Sequence, residues 1–227
     1  MNAVAFYSNT GESRAIAEYF ADKLGYFLVD IEAYSEENYK DLVLVFPVHC
    51  QNIPDPVKAF LEKVDALNLT VISTYGKMCC GNVLYEIQRK YRKNIVAGAY
   101  LPTKHAYIDG DCAFSDFDKL DPIIEKIQKP SSVRFPKLYK NPFANFVPAL
   151  RSRIGLKIQK STSCNGCDIC SEICSFGAIK EGITNNKCIR CLKCVDKCPL
   201  KALSIHIGSP LKLYLRKKKK NKIIIYV

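Results

Sequence analysis

Eight of the twelve cysteines in this chain of 227 residues form a tandem repeat. The repeat reads CNGCDICSEIC over residues 164–174 and CIRCLKCVDKC over residues 188–198. Each block has the spacing C-x2-C-x2-C-x3-C, and the second block follows the first at an offset of 24 residues. The pattern is an internal duplication, and it predicts a small domain whose two similar halves surround the groups that the cysteines bind.

Metal or cluster binding explains these cysteines better than disulfides do. No basic-then-apolar leader opens the sequence and no run of about 18 apolar residues occurs, so we expect a cytoplasmic protein, in which thiols stay reduced. Three cysteines at successive three-residue steps can surround one cluster. A structural zinc site instead takes two cysteines from each of two C-x2-C knuckles and would leave thiols over. The spacing therefore favours 4Fe-4S clusters over zinc.

The segment 161–206 resembles the bacterial two-cluster ferredoxins, which are small α+β domains. In that family the fourth cysteine of each block binds the cluster of the other block. The resemblance therefore implies two crossed ligand sets. They are Cys164, Cys167, Cys170 and Cys198 for cluster 1, and Cys174, Cys188, Cys191 and Cys194 for cluster 2. Pro199 follows the last cysteine as in the family, whereas Ser175 occupies the matching position of the first block.

The first 130 residues alternate short apolar runs with longer amphipathic segments. Predicted strands cover residues 3–7, 26–31, 41–46, 69–74 and 95–101, and predicted helices cover residues 13–24, 55–65, 81–93 and 115–129. Near-continuous apolar strands such as DLVLVFP predict burial on both faces, and hence a parallel sheet covered by helices. Ligands of such sheets bind at the carboxyl ends of strands, where the strand order reverses.

The loop SNTGES, residues 8–13, lies at such a strand end and opens the first predicted helix. Ser8, Thr10 and Ser13 offer hydroxyl groups, and Gly11 lets the backbone approach a ligand closely. Free N–H groups at a helix start favour an anion. The six residues alone fit either a phosphate loop or an ordinary serine-capped helix.

This loop resembles the phosphate loop of flavodoxins, [ST]-x-T-G-x-[ST], which binds the phosphate of FMN. The resemblance covers residues 1–130 in element order and implies an α/β, flavodoxin-like, doubly wound parallel sheet of five strands. It implies contacts to the FMN phosphate from Ser8, Asn9, Thr10, Gly11, Glu12 and Ser13. Because a carboxylate is an unusual neighbour for a phosphate, we expect the Glu12 side chain to point to solvent. The resemblance also implies contacts to the flavin ring from Pro47, Val48 and His49 on one side and from Thr74, Tyr75 and Gly76 on the other.

Other residues near these loops have two interpretations. Cys79 and Cys80 are either a redox pair or buried filler, and adjacent cysteines rarely form a relaxed disulfide, which favours filler. His105, Lys77 and Lys104, together with His49, fall in loops at the same end of the sheet. Such residues are commonly solvated. If they lie close to the flavin, they favour its anionic reduced form.

Charge is distributed unevenly along the chain. Residues 1–130 contain 14 basic and 18 acidic residues, whereas residues 131–227 contain 20 basic and 4 acidic residues. The stretch 131–163 has seven basic residues and no acidic ones, and the stretch 201–227 has eight and none. A surface of this kind suits an acidic redox protein such as ferredoxin or flavodoxin, an anionic membrane or a nucleic acid.

Four segments follow from these observations. They are a flavodoxin-like FMN-binding domain (1–130), a basic and partly apolar connecting segment (131–160), a two-cluster ferredoxin domain (161–206) and a basic C-terminal tail (207–227). The run RKKKKNK at 216–222 is typical of a solvated tail, and alternatively of a docking strip for an acidic redox partner or for an anionic membrane.

The whole chain resembles the fused flavodoxin-ferredoxin proteins of anaerobic microbes. FMN accepts two electrons in single steps and each cluster carries one, so the resemblance implies electron transfer between low-potential partners. Because no constellation of residues indicates a catalytic base or a substrate pocket, an electron carrier is favoured over an iron-sulfur flavoenzyme that reduces a small molecule. Nucleic-acid binding is not expected, since only basicity supports it.

Overall fold

The computed structural model describes residues 1–33, 38–108, 110–146, 148–217 and 219–227. The chain forms two compact units. The sheet unit comprises Met1–Asn141 and Lys219–Val227, and the repeat unit comprises Pro142–Lys218. Within the described residues, no helix is both long enough and apolar enough to cross a membrane.

Strands and helices alternate through the first part of the sheet unit, as the sequence predicts. In chain order they are β1 (Asn2–Phe6), α1 (Glu12–Leu24), β2 (Phe27–Asp30), β3 (Asn38–Pro47), α2 (Asp55–Lys63), β4 (Asp65–Tyr75), α3 (Val83–Tyr91), β5 (Ile95–Pro102) and α4 (Asp121–Gln128). The largest difference from the predicted ends is at α4, which a 3-10 turn over Phe117–Leu120 precedes. Pro122 lies in the first turn of α4, where its missing N–H leaves no helical bond unmade.

The strands β1 to β5 form a parallel sheet in the order 2-1-3-4-5. Alternate residues of each strand face opposite cores. Val4 and Phe6 pack on the side of α1 and α4, whereas Ala3 and Ala5 pack on the side of α2 and α3. Burial on both faces explains the nearly continuous apolar strands. The predicted parallel sheet with helices on both faces is confirmed, and its strand order is the flavodoxin-like one.

Short elements make up the repeat unit. They are α5 (Pro148–Gly155), β6 (Leu156–Lys160), α6 (Ile169–Glu172), β7 (Ile179–Lys180), β8 (Ile183–Thr184), α7 (Lys193–Asp196), β9 (Leu203–Ile207) and α8 (Ser209–Leu215). Two antiparallel pairs form, β6 with β9 and β7 with β8. The helices α6 and α7 are offset by the same 24 residues as the cysteine blocks, so the duplication extends to the backbone.

The five-strand count and the simple C-terminal tail are both wrong. Among the described residues the main sheet has six strands, because β10 (Ile224–Tyr226) pairs antiparallel with β5. The tail predicted over residues 207–227 therefore contains α8 and a strand of the sheet unit. Its end reads IIIYV, and such β-branched and aromatic residues suit a strand at a sheet edge. The Tyr226 ring packs 5.2 Å from that of Phe135.

Candidate functional site

The eight cysteines of the repeat line two separate cavities in the repeat unit. Cavity 1 is lined by Cys164, Cys167, Cys170 and Cys198. Cavity 2 is lined by Cys174, Cys188, Cys191 and Cys194. Each cavity therefore takes three cysteines from one block and the fourth from the other, which is the grouping that the resemblance implied.

The fourth cysteines of the two blocks have equivalent environments. The N–H of Ala178 donates to Cys174 Sγ at 3.3 Å, and the N–H of Ala202 donates to Cys198 Sγ at 3.3 Å. Hydrogen bonds to sulfur stabilise a thiolate and help to set the potential of a cluster that it binds. The two cavities therefore share this feature as well as their donor set.

The surroundings of the two cavities differ. Cavity 1 contains the exposed Cys167 and is also lined by Asp168 and Glu181. In cavity 2, Cys188 and Cys194 are buried. Ser175 and Lys193 also line cavity 2, and the rest of its lining is apolar, including Ile158, Ile173, Phe176, Ile179, Ile189 and Leu192. Apolar residues also line cavity 1, so the two sites differ mainly in charge: Asp168 and Glu181 have no acidic counterpart among the residues that line cavity 2.

Two thiols of cavity 2 resist ionisation in the absence of a cation. Burial, followed by the neighbouring thiols, raises the pKa of Cys191 to about 11 and that of Cys194 to about 12. Both stay protonated at neutral pH unless a bound cation replaces the protons. In the described part of the chain no three His, Cys, Asp or Glu side chains converge on a single-ion site. The four cysteines of each cavity surround a space, which fits a multi-iron cluster held by four thiolates.

Three loops lie at the carboxyl ends of β1, β3 and β4 in the sheet unit. We name them loop A (residues 8–13), loop B (residues 47–54) and loop C (residues 74–81). Because β1 lies between β2 and β3, the strand order reverses here, and such a crevice is where open α/β sheets bind ligands.

Side chains from the three loops are in direct contact. Asn9 Nδ2 of loop A lies 2.9 Å from His49 Nε2 of loop B. Ser13 Oγ lies 2.9 Å from Thr74 Oγ1 of loop C, and both residues are buried. The N–H of Val48 donates to the carbonyl oxygen of Thr74 at 2.8 Å. The structure thus brings members of all three predicted groups together.

The start of α1 is not a serine-capped helix. Its N-cap is Gly11, at φ +90°, and no side chain caps the first turn. Ser13, the buried partner of Thr74, lies inside the helix, while Ser8 and Thr10 are half-buried in the preceding loop. Uncapped N–H groups beside hydroxyl side chains form a favourable environment for a phosphate.

Two buried polar atoms of these loops lack partners within the described residues. They are Asn9 Oδ1 and His49 Nδ1. Burial lowers the pKa of His49 to about 4, so its ring is neutral at pH 7. Since Nε2 accepts from Asn9, we assign the ring hydrogen to Nδ1. An unpaired buried donor or acceptor costs about 1–3 kcal/mol, which a bound polar ligand can recover. The loops therefore fit a polar cofactor such as FMN.

Loop C is packed closely on both sides. Gly81 has φ +66°, and a Cβ atom there would lie 2.5 Å from the carbonyl oxygen of Gln51 in loop B. A Cβ atom on Gly76 would lie 2.6 Å from Cδ2 of His105. Burial lowers the pKa of His105, so this ring too favours the neutral form. The two glycines allow loop C to touch loop B and the loop that follows β5.

Tyr75 does not turn its side chain toward the predicted flavin position. It is only 4% exposed, and its hydroxyl lies 3.0 Å from the carbonyl oxygen of Lys220 and 2.6 Å from that of Lys222. If Tyr75 contacts the flavin as the resemblance implies, it does so through its main-chain atoms and not through its side chain. Sequence reasoning missed these C-terminal partners, because basic residues give no signal of a specific backbone contact.

The expectation that Glu12 faces solvent is wrong. The side chain is half-buried, and burial raises its pKa, although its carboxylate accepts a hydrogen bond from the N–H of Lys104. Cys79 and Cys80 are both half-buried. Burial, and then the charge of the neighbouring Cys79, raises the pKa of Cys80 to about 11. The two cysteines therefore fit a role in packing better than a role as a reactive pair.

Comparisons with known proteins bear on both units. The family model for the 4Fe-4S binding domain matches residues 182–204, which include the second cysteine block. The repeat unit therefore contains an iron-sulfur binding domain.

A solved structure of a "putative flavoprotein" from Bacteroides uniformis is 19% identical, with a TM-score of 0.40, and the match covers 46% of this chain and 91% of that one. This TM-score is too low to establish a shared fold, so the fold assignment of the sheet unit depends on its strand order. No curated protein matches the sequence.

Proposed function

We propose that the protein transfers single electrons between redox partners through two 4Fe-4S clusters and a bound FMN. The observation that carries the proposal is the pair of cavities, each lined by four cysteines. Cavity 1 would hold cluster 1 and cavity 2 would hold cluster 2. The family match covers only the second block, but the first block has the same spacing and an equivalent N–H to sulfur bond, which supports a second cluster.

The FMN part of the proposal rests on the three loops of the sheet unit. The phosphate would bind the uncapped start of α1 with the hydroxyls of loop A. The flavin ring would lie between residues 47–49 of loop B and residues 74–76 of loop C. Neutral His49 would donate its Nδ1 hydrogen to the cofactor, and Asn9 Oδ1 would accept a hydrogen bond there. Bound FMN supplies chemistry in steps of one or two electrons.

The residues of the chain serve mainly to hold these groups and to exclude water. Both cavities have mostly apolar linings, but Asp168 and Glu181 lie at cavity 1 and Lys193 lies at cavity 2. Cys167 of cavity 1 is exposed, whereas Cys188 and Cys194 of cavity 2 are buried. Solvent exposure and nearby charge both influence a cluster potential. We therefore propose that the two clusters differ in potential.

The partners are proposed from charge. The repeat unit contains 14 basic residues and 4 acidic residues. Such a surface attracts an acidic ferredoxin or flavodoxin, with association that weakens as salt screens the charges. Peripheral contact with an anionic membrane is a second possible use of the same basic residues.

Electron transfer from an acidic donor to the flavin tests the proposed function. Under anaerobic conditions, a reduced ferredoxin is mixed with the full chain, and reduction of FMN is followed by its absorbance. Cys164→Ser and Cys188→Ser, each removing one ligand, should slow flavin reduction at least tenfold. Cys112→Ser, which changes an exposed cysteine outside the repeat, should leave the rate unchanged.

The alternative function, an iron-sulfur flavoenzyme, is tested in the same experiment. Rapid steady-state reduction of quinones or similar acceptors without any protein partner would favour the enzyme. A rate of flavin reduction that is the same in both cysteine variants as in the wild type would exclude the proposed route through the clusters.

A further inference from the structure

The last nine residues of the chain, Lys219–Val227, return to the sheet unit after the repeat unit. We call them the C-terminal segment. Its end pairs with β5 as β10, but its first residues lie at the carboxyl edge of the sheet. There the N–H of Lys220 donates to the carbonyl oxygen of Lys77, the residue after Gly76 in loop C. The segment thus contacts the loop assigned above to the flavin ring.

A group of three charged side chains strengthens this contact. Lys219 Nζ lies 3.0 Å from Asp111 Oδ1, and Lys77 Nζ lies 3.1 Å from the same oxygen. The Asp111 side chain is only 6% exposed. Burial alone would raise the pKa of Asp111, but the N–H of His105 and the two lysines outweigh it and hold that pKa well below its usual range. The carboxylate therefore stays ionised and joins the C-terminal segment to Lys77.

Tyr75 provides the second connection. Its hydroxyl lies within hydrogen-bond distance of the carbonyl oxygens of Lys220 and Lys222, which are 145 and 147 positions away in sequence. Burial raises the pKa of Tyr75 to about 12, so the hydroxyl keeps the hydrogen that it donates. The residues on both sides of Gly76 are thus held by the C-terminal segment.

Loop C needs such support, because its local conformation is unfavourable. Lys77 has φ +56°, a left-handed value that costs a non-glycine residue roughly 1–2 kcal/mol. Its N–H donates to the carbonyl oxygen of Tyr75, which closes a tight turn around Gly76. The bonds of Lys77 to Lys220, to Asp111 and to the carbonyl oxygen of Cys112 offset this cost.

We infer that the C-terminal segment is a positioning element of the flavin site, which holds residues 75–77 in the shape that binds the FMN ring. The inference rests on the proposed function, since it assumes that loop C contacts FMN. It gives part of the basic run a role that differs from partner docking. Lys219, Lys220 and Lys222 shape a cofactor site, while Lys217 lies in the repeat unit.

Three single variants of the full chain test the inference. Tyr75→Phe keeps the buried ring and removes the hydroxyl. Lys219→Ala removes one of the two lysines that pair with Asp111. Lys217→Ala is the matched control, because it removes the same charge from the same run without touching Asp111. FMN dissociation constants are measured by quenching of flavin fluorescence. We expect binding about tenfold weaker for Tyr75→Phe, severalfold weaker for Lys219→Ala and unchanged for Lys217→Ala.

Hydrogen exchange separates positioning from general stability. In FMN-free protein, Tyr75→Phe should speed exchange of the amides of loop C while leaving the amides of β1 and β3 as slow as in the wild type. Equal FMN affinity in the wild type, Tyr75→Phe and Lys219→Ala would overturn the inference. So would an equal loss in Lys217→Ala, since that would show a general charge effect. A wild-type chain that binds no FMN would instead overturn the proposed flavin function itself.

Discussion

The two candidate sites are built in opposite ways. All eight cysteines of the repeat unit lie between residues 164 and 198, and a single stretch of chain supplies both cavities. The candidate flavin site joins loops A, B and C with a segment that begins at Lys219. A contiguous motif thus specifies its ligands directly, whereas a dispersed site depends on strand order and on contacts between distant residues.

Their supporting cores differ as well. Two large apolar clusters cover both faces of the main sheet. In the repeat unit, the described apolar cluster centres on Ile179, Cys194 and Leu203, and further cysteines pack against it. The cysteine ligands are therefore part of the core of the repeat unit. We therefore expect the repeat unit to depend on the proposed clusters for its fold, whereas the sheet unit has two apolar cores of its own.

Removal of iron should produce the largest difference between the two units. Anaerobic treatment with a chelator should abolish slow hydrogen exchange in β6 and β9, because the small core would not hold the repeat unit together without the proposed clusters. Amides of β3 and β4 should remain protected. Persistent protection of β6 and β9 in iron-free protein would show that the repeat unit folds without a cofactor.

Pairs of cysteine variants test the crossed ligand sets. If cavities correspond to clusters, Cys164→Ser and Cys198→Ser remove the same cluster, so the double variant should lose no more iron than either single variant. Cys164→Ser combined with Cys174→Ser should lose both clusters. Iron per chain, measured after anaerobic purification, distinguishes the two cases. The reverse ranking of the two double variants would contradict crossed ligation.

A glycine substitution tests the close contact between loops B and C. Gly81→Ala places a Cβ atom 2.5 Å from Gln51 O at a positive φ, and should destabilise the sheet unit by about 2–4 kcal/mol. Gly110→Ala is the control, because φ is +70° and, among the described residues other than its chain neighbours, no atom lies within 4 Å of the added Cβ. It should cost only about 1–2 kcal/mol. Equal losses in urea unfolding would show that the contact with Gln51 is unimportant.

Acid pH should weaken the sheet unit through His49, with a smaller effect. Its folded pKa of about 4 lies below the ordinary value of 6.5, so between these values the unfolded chain binds a proton that the folded chain does not. The free energy of unfolding should therefore fall as pH falls, by up to about 1.4 kcal/mol per pH unit. His49→Asn should remove this contribution. Hydrogen exchange of β3 amides, compared between variant and wild type at pH 7 and at pH 5, measures the difference.

The parts of the molecule that sequence could predict are those encoded locally. The cysteine spacing indicates cluster binding, and the resemblance to two-cluster ferredoxins implies the grouping into two crossed sets. The apolar periodicity indicates the strands of the parallel sheet. The strand β10 was not predicted, because its three residues follow a long basic run that is typical of a solvated tail. The orientation of Tyr75 could not be predicted either, since its partners at Lys220 and Lys222 become neighbours only when β10 pairs with β5.

Glu12 illustrates a second limit of the sequence. A carboxylate within a phosphate loop is expected to be solvated, because burial of an unpaired charge is costly. The loop that follows β5 provides the N–H of Lys104 as a partner, and periodicity gives no information about this contact.

Cofactor content after purification without oxygen tests the two-cluster flavoprotein most directly. Iron and FMN are quantified per chain, with an absorption spectrum of the same sample. Two 4Fe-4S clusters and one flavin predict about eight irons and one FMN per chain. About four irons, zinc in place of iron, or a chain that takes up no FMN would contradict the account.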